Sequence, residues 1–323
     1  MQKKEKIAVV LFNLGGPDSL EAVKPFLFNL FNDPAIITVP NPLRWCLAKF
    51  ISARRAPFAR NIYREIGNKS PLLEQTEAQT RALEEKLNQS GTGDYGCFIA
   101  MRYWHPFSDE TVSKVKQFNP DRIVLLPLYP QYSVTTTGSS LIDWTKKAKA
   151  ADLAVPTVMI REYPRDEKFI QAHATLIREA LVDISSPGDY RLLFSAHGLP
   201  KKVIESGDPY QAQVEQTCAA IIEKLGDTGL EYVTCYQSRV GPLEWIGPST
   251  EDEIDRAGED GKNLIIVPVA FVSEHSETLV ELDIEYREFA EKAGVKDYIR
   301  VPALQCQPDF IESLAGLVLK TAG

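Results

Sequence analysis

The chain lacks three things that would each announce a class of protein: paired cysteine spacings, an excess of positive charge and long apolar runs. Its five cysteines, Cys46, Cys97, Cys218, Cys235 and Cys306, are odd in number, scattered and never spaced C-x-x-C. That pattern excludes a disulfide framework and a zinc or iron–sulfur site built from local spacing, and reduced thiols in a cytoplasmic protein are expected. The formal net charge is -8, so no global positive field draws in phosphates and nucleic acid is excluded as a partner. The longest apolar stretch runs only from Leu264 to Val272, the length of a strand. The run Ile7 to Leu11, after Met1-Gln2-Lys3-Lys4-Glu5-Lys6, is too short for a signal-peptide core or a membrane span. A dinucleotide fingerprint is missing too, because Gly15-Gly16 runs straight into Pro17. No Walker lysine follows Thr135-Thr136-Thr137-Gly138-Ser139-Ser140, which reads as a loop.

What is present is a repeat. Strand-like segments occur in the same order in both halves of the 323 residues. Ala8–Pro17 matches Leu192–Pro200, and each is an apolar strand ending in Gly and Pro. Cys97–Arg102 matches Tyr232–Gln237, Ile123–Tyr129 matches Leu264–Phe271, and Thr157–Ile160 matches Tyr298–Val301. Helical patterns separate them, such as Glu74 to Asn88 and Gln211 to Leu225, the latter with Ala219, Ile222 and Leu225 on its apolar face. Near-continuous apolar strands alternating with amphipathic helices imply parallel sheets covered on both faces. The expected fold is α/β: two doubly wound, Rossmann-like domains with four-stranded parallel sheets flanked by helices. The boundaries are placed at 1–165 with 306–323, and 166–305, the last helix crossing back to the first domain. In such sheets ligands bind beyond the carboxyl ends of the strands, so an active-site cleft between the domains is expected.

Two of the four histidines, His197 and His275, fall just past strands of the second half. With a 2-1-3-4 strand order, His197 and Glu277 face each other across the switch point. Beyond Glu277 a helix begins, with Leu279, Leu282, Tyr286 and Phe289 as its core face and Glu277, Glu281 and Glu285 as an acidic stripe. Such a stripe is either a solvated face or a track leading a divalent cation to the histidine, and imidazole with carboxylate suits first-row metals. The first half brings an apolar span from Phe26 to Phe50 that includes Leu30, Phe31 and Trp45 and is broken by Pro25, Pro34, Pro40 and Pro42. That proline spacing reads as irregular chain, a buried loop or a lip over a large flat ligand. Arg54-Arg55, Tyr63, Ser70 and Arg102-Tyr103 follow, and cations beside aromatic surface can hold carboxylates at a ligand's edge.

Taken together, several segments resemble the ferrochelatase family over nearly the whole chain: Leu11–Pro17, Arg54–Pro57, Tyr129–Ser133, Phe194–Pro200, Tyr236–Pro242, Trp245–Pro248 and Ser273–Leu279. The resemblance implies a two-domain, chelatase-like enzyme that inserts ferrous iron into protoporphyrin IX to form protohaem. It makes His197 the essential histidine and Glu277 its partner carboxylate, with Glu281 and Glu285 continuing an acidic line on a helix widened by π-type bonding. Glu274, where some members have Asp, joins the metal-facing set. Asn13, Leu14, Tyr63, Ser70, Arg102, Tyr129 and Tyr132 match positions that line the porphyrin or bind its propionates, Trp245 and His275 fall at family pocket positions, and the lip and cation residues Leu30, Phe31, Arg54, Arg55 and Tyr103 complete the expected porphyrin-binding set.

Iron is then a substrate and no cofactor is required. Some members carry a [2Fe–2S] cluster; here Val134 holds its first cysteine position and no cysteine group precedes Gly323, so no cluster is expected. A monomer is expected, cytoplasmic or peripheral at the inner membrane face through the apolar lip. The chemistry needs a bent macrocycle and an acceptor for two pyrrole protons. His197 serves as that acceptor or as the metal's last ligand, and the residues leave the choice open. The alternatives are a coproporphyrin ferrochelatase, a cobalt chelatase of the same fold, and a two-lobed metal- or tetrapyrrole-binding protein.

Overall fold

The computed structural model describes residues 4–182, 184–239 and 241–322; Met1, Gln2, Lys3, Asp183, Gly323 and Val240 of the Tyr236–Pro242 motif lie outside them. The chain divides into two compact units, Met1–Glu162 with Ile311–Gly323, and Tyr163–Phe310.

The first unit holds strands β1 (Lys6–Asn13), β2 (Asp94–Met101), β3 (Arg122–Pro127) and β4 (Thr157–Met159), all parallel, in the order β2-β1-β3-β4. β1 is central and buried from Ile7 to Asn13, which is why its sequence reads as continuous rather than alternating hydrophobicity. Helices α1 (Val23–Phe31), α2 (Leu43–Glu65), α3 (Leu72–Gln89), α4 (Ser108–Phe118) and α5 (Ser139–Ala150) accompany the sheet. One core joins Ala8, Val10 and Phe12 to Val112, Val115 and Trp144.

The second unit repeats the plan. Strands β5 (Tyr190–His197), β6 (Glu231–Gln237), β7 (Asn263–Pro268) and β8 (Tyr298–Arg300) run parallel in the order β6-β5-β7-β8. The flanking helices are α6 (Glu167–Leu181), α7 (Lys201–Glu205), α8 (Tyr210–Leu225), α9 (Thr250–Glu259) and α10 (Tyr286–Lys292); α11 (Pro308–Ala322) contains the division between the units. The 2-1-3-4 order expected from the repeat is therefore present in both sheets. So is a second shared feature: each third strand is followed by a π-helical segment, Val134–Gly138 in the first unit and Glu277–Glu285 in the second.

Four sequence expectations need correction. The Phe26–Phe50 span is mostly helical: Pro25 falls in the first turn of α1, where its missing N–H costs nothing, and Pro42 directly precedes α2. Pro34 and Pro40 lie in the connecting turns. The Thr135–Ser140 run is also helical rather than loop, started by the Ser133 hydroxyl accepting the Thr135 N–H at 3.1 Å. The helix from Tyr210 is turned relative to its expected face: Val214, Cys218 and Ile221 are buried while Ala219 is exposed. Beyond Glu277, Leu282 and Tyr286 are core as expected and Phe289 packs against their cluster, but Val280 and Ala290 are buried too and Leu279 is only half-buried, because π pairing changes the angular step on which an α-helical face was reckoned.

Candidate active site

His197 is the last residue of β5 and Glu277 opens the π-helical segment that follows β7. Because β5 and β7 are hydrogen-bonded neighbours, the chain leaving each strand delivers these side chains to one place. Glu277 Oε2 lies 3.0 Å from His197 Nδ1, which leaves Nε2 as the ring nitrogen able to take a proton or meet a metal. Burial disfavours the charged ring, yet the charge of Glu277 and its hydrogen bond outweigh burial and hold the His197 pKa above its ordinary value. The same pairing pulls the Glu277 carboxyl below the usual range against its own burial.

Glu281 sits one turn on and is held differently. Its carboxylate accepts hydrogen bonds from Gln237 Nε2 at 3.0 Å, Ser238 N at 2.8 Å, Ser238 Oγ at 2.5 Å and Tyr286 Oη at 3.1 Å. Ser238 adopts a left-handed backbone, φ 61°, unusual for a residue other than glycine, and this turns its N–H towards Glu281. Burial, then the charge of Glu277, push the Glu281 pKa up in spite of these donors. Gln237 also donates to the Glu277 carbonyl at 3.2 Å, so one side chain at the end of β6 ties both acidic positions together.

His275 caps the start of the π-helical segment. Its N–H donates to Thr278 Oγ1 at 3.0 Å and its Nδ1 accepts from the Thr278 N–H at 3.3 Å. Burial holds this imidazole neutral, below its ordinary pKa. Trp245 reaches the same neighbourhood because 244–246 pairs with 199–201. A Cβ on Gly198 would come within 2.9 Å of the Gln237 carbonyl and 3.4 Å of the indole, so the close approach beside His197 requires glycine.

The five metal candidates do not form one ligand cluster. Among the described residues no group of three or more His, Cys, Asp or Glu converges to hold a metal ion. Glu285 lies exposed at the far end of the segment. Glu274 is buried, and Oε1 of its carboxylate is taken by Arg300 Nη1 at 2.8 Å and the Ala303 N–H at 2.9 Å. The structure thus assigns Glu274 to an internal ion pair instead of the face that carries Glu277 and Glu281.

In the first unit, Leu14, Leu30, Phe31, Tyr63 and Tyr103 gather on one apolar cluster with Val23, Phe26, Leu27 and Ala56. Tyr103 is a correction to the ligand-lining set: it is 0% exposed and its hydroxyl donates to Asp33 Oδ2 at 2.8 Å. Arg102 pairs with the same oxygen at 2.8 Å, donates from Nε to Ser139 Oγ at 2.7 Å and stacks on Tyr103. Asp33, which sequence reading passed over, is the hub of this group. Asn13 ends β1 as His197 ends β5; it accepts the Leu14 N–H at 2.8 Å and donates to Thr76 at 3.0 Å. Ser70 is buried, Tyr129 and Tyr132 are half-buried, and the Arg161 guanidinium lies 4.2 Å from the Tyr132 ring centre. Arg54 is exposed on α2, while Arg55 is half-buried with its guanidinium 5.9 Å from the Phe31 ring.

The ferrochelatase family profile matches residues 6–322. The chain is 55% identical over 320 residues to the ferrochelatase of Caulobacter vibrioides, covering 99% of this chain and 91% of that one. It is 54% identical over 316 residues to the ferrochelatase of Pelagibacter ubique, covering 98% and 91%. The chain belongs to the ferrochelatase family. Its fold is shared with distant solved structures: SirB from Bacillus subtilis with Fe3+, at 12% identity and a TM-score of 0.57 over 99% of this chain and 96% of that one, and CbiX, at 14% identity and 0.50 over 98% of each. As a member of the ferrochelatase family it is an enzyme of haem biosynthesis that inserts metal into a porphyrin, which sets aside the expectation of a mere binding protein.

Sequence reading missed Gln237 and Ser238 as working residues, although both fall in a motif that carries the family resemblance. The available signal was their place at the carboxyl end of a strand, Gln237 its last residue and Ser238 the next, in the half that carries His197.

Proposed function

We propose that this ferrochelatase inserts Fe2+ into protoporphyrin IX, with His197 as acceptor of the pyrrole protons and Glu277 as the group that orients and charges it. The observation that carries the reading is the 3.0 Å contact between Glu277 and His197 Nδ1. A carboxylate there fixes the tautomer, leaves Nε2 for the substrate and stabilises the imidazolium that forms. Metal insertion replaces two pyrrole N–H bonds by metal–nitrogen bonds and releases two protons. His197 takes them in succession and passes them to the half-buried carboxylate of Glu281, whose raised pKa suits a group that must bind a proton transiently. Glu281 and the exposed Glu285 also attract the incoming cation, which enters as substrate.

The apolar cluster of the first unit suits a flat macrocycle, and Arg54 and Arg55 suit its carboxylates, whereas Arg102 is held by Asp33. No resident cofactor is needed, and Val134 in place of a cysteine supports a protein without a [2Fe–2S] cluster. Exposed Ile36, Leu43, Trp45, Phe50 and Phe58, with Lys49 stacked on Trp45 at 4.0 Å, support peripheral contact of a monomer with the cytoplasmic membrane face. No helix among the described residues is long and apolar enough to cross a membrane.

The test is anaerobic turnover of free-base porphyrin followed by absorbance. His197→Ala should lose metal insertion while still quenching porphyrin fluorescence on binding. More than a few per cent of wild-type kcat would overturn the central role of the histidine.

A further inference from the structure

The reading of His197, Glu277 and Glu281 as the working site has a consequence for a residue far along the chain. We propose that Arg300 is a positioning residue: one guanidinium clamps both ends of the segment that carries the site's acidic groups. Arg300 is the last residue of β8. Its Nη1 lies 2.8 Å from Glu274 Oε1 and its Nη2 lies 2.7 Å from Asp283 Oδ2. Glu274 immediately precedes His275, and Asp283 follows Glu281 by two residues. His275, Glu277 and Glu281 are therefore all strung between the two carboxylates that Arg300 grips.

The clamp is built, not incidental. The side chains of Arg300 and Glu274 are 11% and 6% exposed, too buried for a casual surface pair. Neighbours of Arg300 pin the same stretch: Tyr298 Oη donates to the Leu282 carbonyl at 2.5 Å, while Arg287 donates to the Asp283 carbonyl at 3.1 Å and the Tyr298 carbonyl at 2.7 Å. The segment needs such support because α pairing is the commoner geometry. A slip from π to α pairing turns every later residue by one angular step, roughly 100°. Glu277 and Glu281 could then not both keep His197 and Ser238. A planar guanidinium holds its Nη1 and Nη2 donors in a fixed fork towards the two carboxylates, a geometry that the compact, flexible ammonium of lysine does not impose.

The test uses the full chain with Arg300→Lys, Asp283→Asn and the neutral triple Glu274→Gln/Asp283→Asn/Arg300→Met. The triple leaves no unpaired buried charge, so it keeps the fold where Arg300 replaced alone would not. With kcat normalised to porphyrin-binding sites, the clamp predicts a kcat lower by about 10–100-fold in the triple, the usual cost of losing a group that orients a functional residue. It also predicts a raised KM for iron and an unchanged Kd for porphyrin. Arg300→Lys should fall between the triple and wild type. A folded triple with kcat and iron KM within about twofold of wild type would overturn the clamp, and so would a lowered Tm as its only defect. His197→Ala, run in parallel, separates the two ideas. Full activity there removes the site reading and the clamp with it; an inactive His197→Ala beside a normal triple removes the clamp alone.

Discussion

Replacing Glu277 with Gln keeps the shape of the side chain and removes its charge, and the structure fixes the sign of the effect on His197. In the wild type three influences act on that imidazole: burial lowers its pKa, while the charge of Glu277 and the Glu277 hydrogen bond raise it, with a smaller contribution from Glu281. Neutralising Glu277 leaves burial almost unopposed, so the His197 pKa should drop from above its ordinary value to at or below it. A hydrogen bond to a charged group contributes about 1.5–3 kcal/mol. The His197 and Glu277 side chains remain 38% and 30% exposed, so solvent screening brings this to about 1–2 kcal/mol.

Stability must have the same sign. His197 is raised, so its pairing stabilises the fold fully below the unfolded pKa of about 6.5 and is lost as pH rises through the folded value. Glu277 is depressed, so its contribution is present above about 4.5 and lost as pH falls through its folded value. Glu277→Gln removes both and should flatten the stability profile across that range. The pKa is read by NMR titration of labelled histidine. Only four histidines are present, and burial pushes His173 to about 3, so it is silent across the titration. Chemical-shift midpoints for His197 that are unchanged or higher in Glu277→Gln would refute the reasoning, and kcat in this variant should fall with iron KM less affected.

Glu281→Gln should raise the KM for iron and leave porphyrin affinity unchanged. Its raised folded pKa means that the ionised carboxylate opposes folding above about pH 4.5, but an amide there must set its NH2 against either Gln237 Nε2 or the Ser238 N–H, so the substitution should lower Tm. Unchanged iron kinetics, whatever the melting point, would leave Glu281 as a structural hydrogen-bond acceptor only. Protoporphyrin, with two propionates, should have a higher kcat/KM than four-propionate coproporphyrin, since extra carboxylates against the cluster of Phe26, Leu27, Leu30 and Phe31 would be costly to desolvate; the reverse preference refutes this. The purified protein should contain no acid-labile sulfide, and a stoichiometric amount would show that a cluster forms despite Val134.

The duplicated α/β fold was legible because central parallel strands must be apolar on both faces, and segments such as Ile7–Phe12 and Leu264–Val267 announce that wherever they occur. Strand order and the ends of the strands then directed attention to His197 and Glu277, since the chemistry of an open parallel sheet lies past its carboxyl edge. Local rules failed where the backbone departs from common geometry. The face of the helix beyond Glu277 was reckoned on α spacing, and under π pairing it kept Leu282 and Tyr286 but lost Leu279; prolines that sit harmlessly at helix starts were read as breaks.

The roles of charged residues divided in the same way. That a histidine and a line of glutamates share the second half is a property of the sequence. That Glu281 is anchored by Gln237 and Ser238, that Asp33 occupies Tyr103 and Arg102, and that Glu274 and Asp283 belong to Arg300 are properties of the tertiary structure alone. Glu274 and Arg300 stand 26 residues apart, Gln237 and Glu281 stand 44 apart, and Asp33 and Tyr103 stand 70 apart. A carboxylate's role depends on which cation or donor meets it, and for partners so far apart only the folded chain brings them within reach.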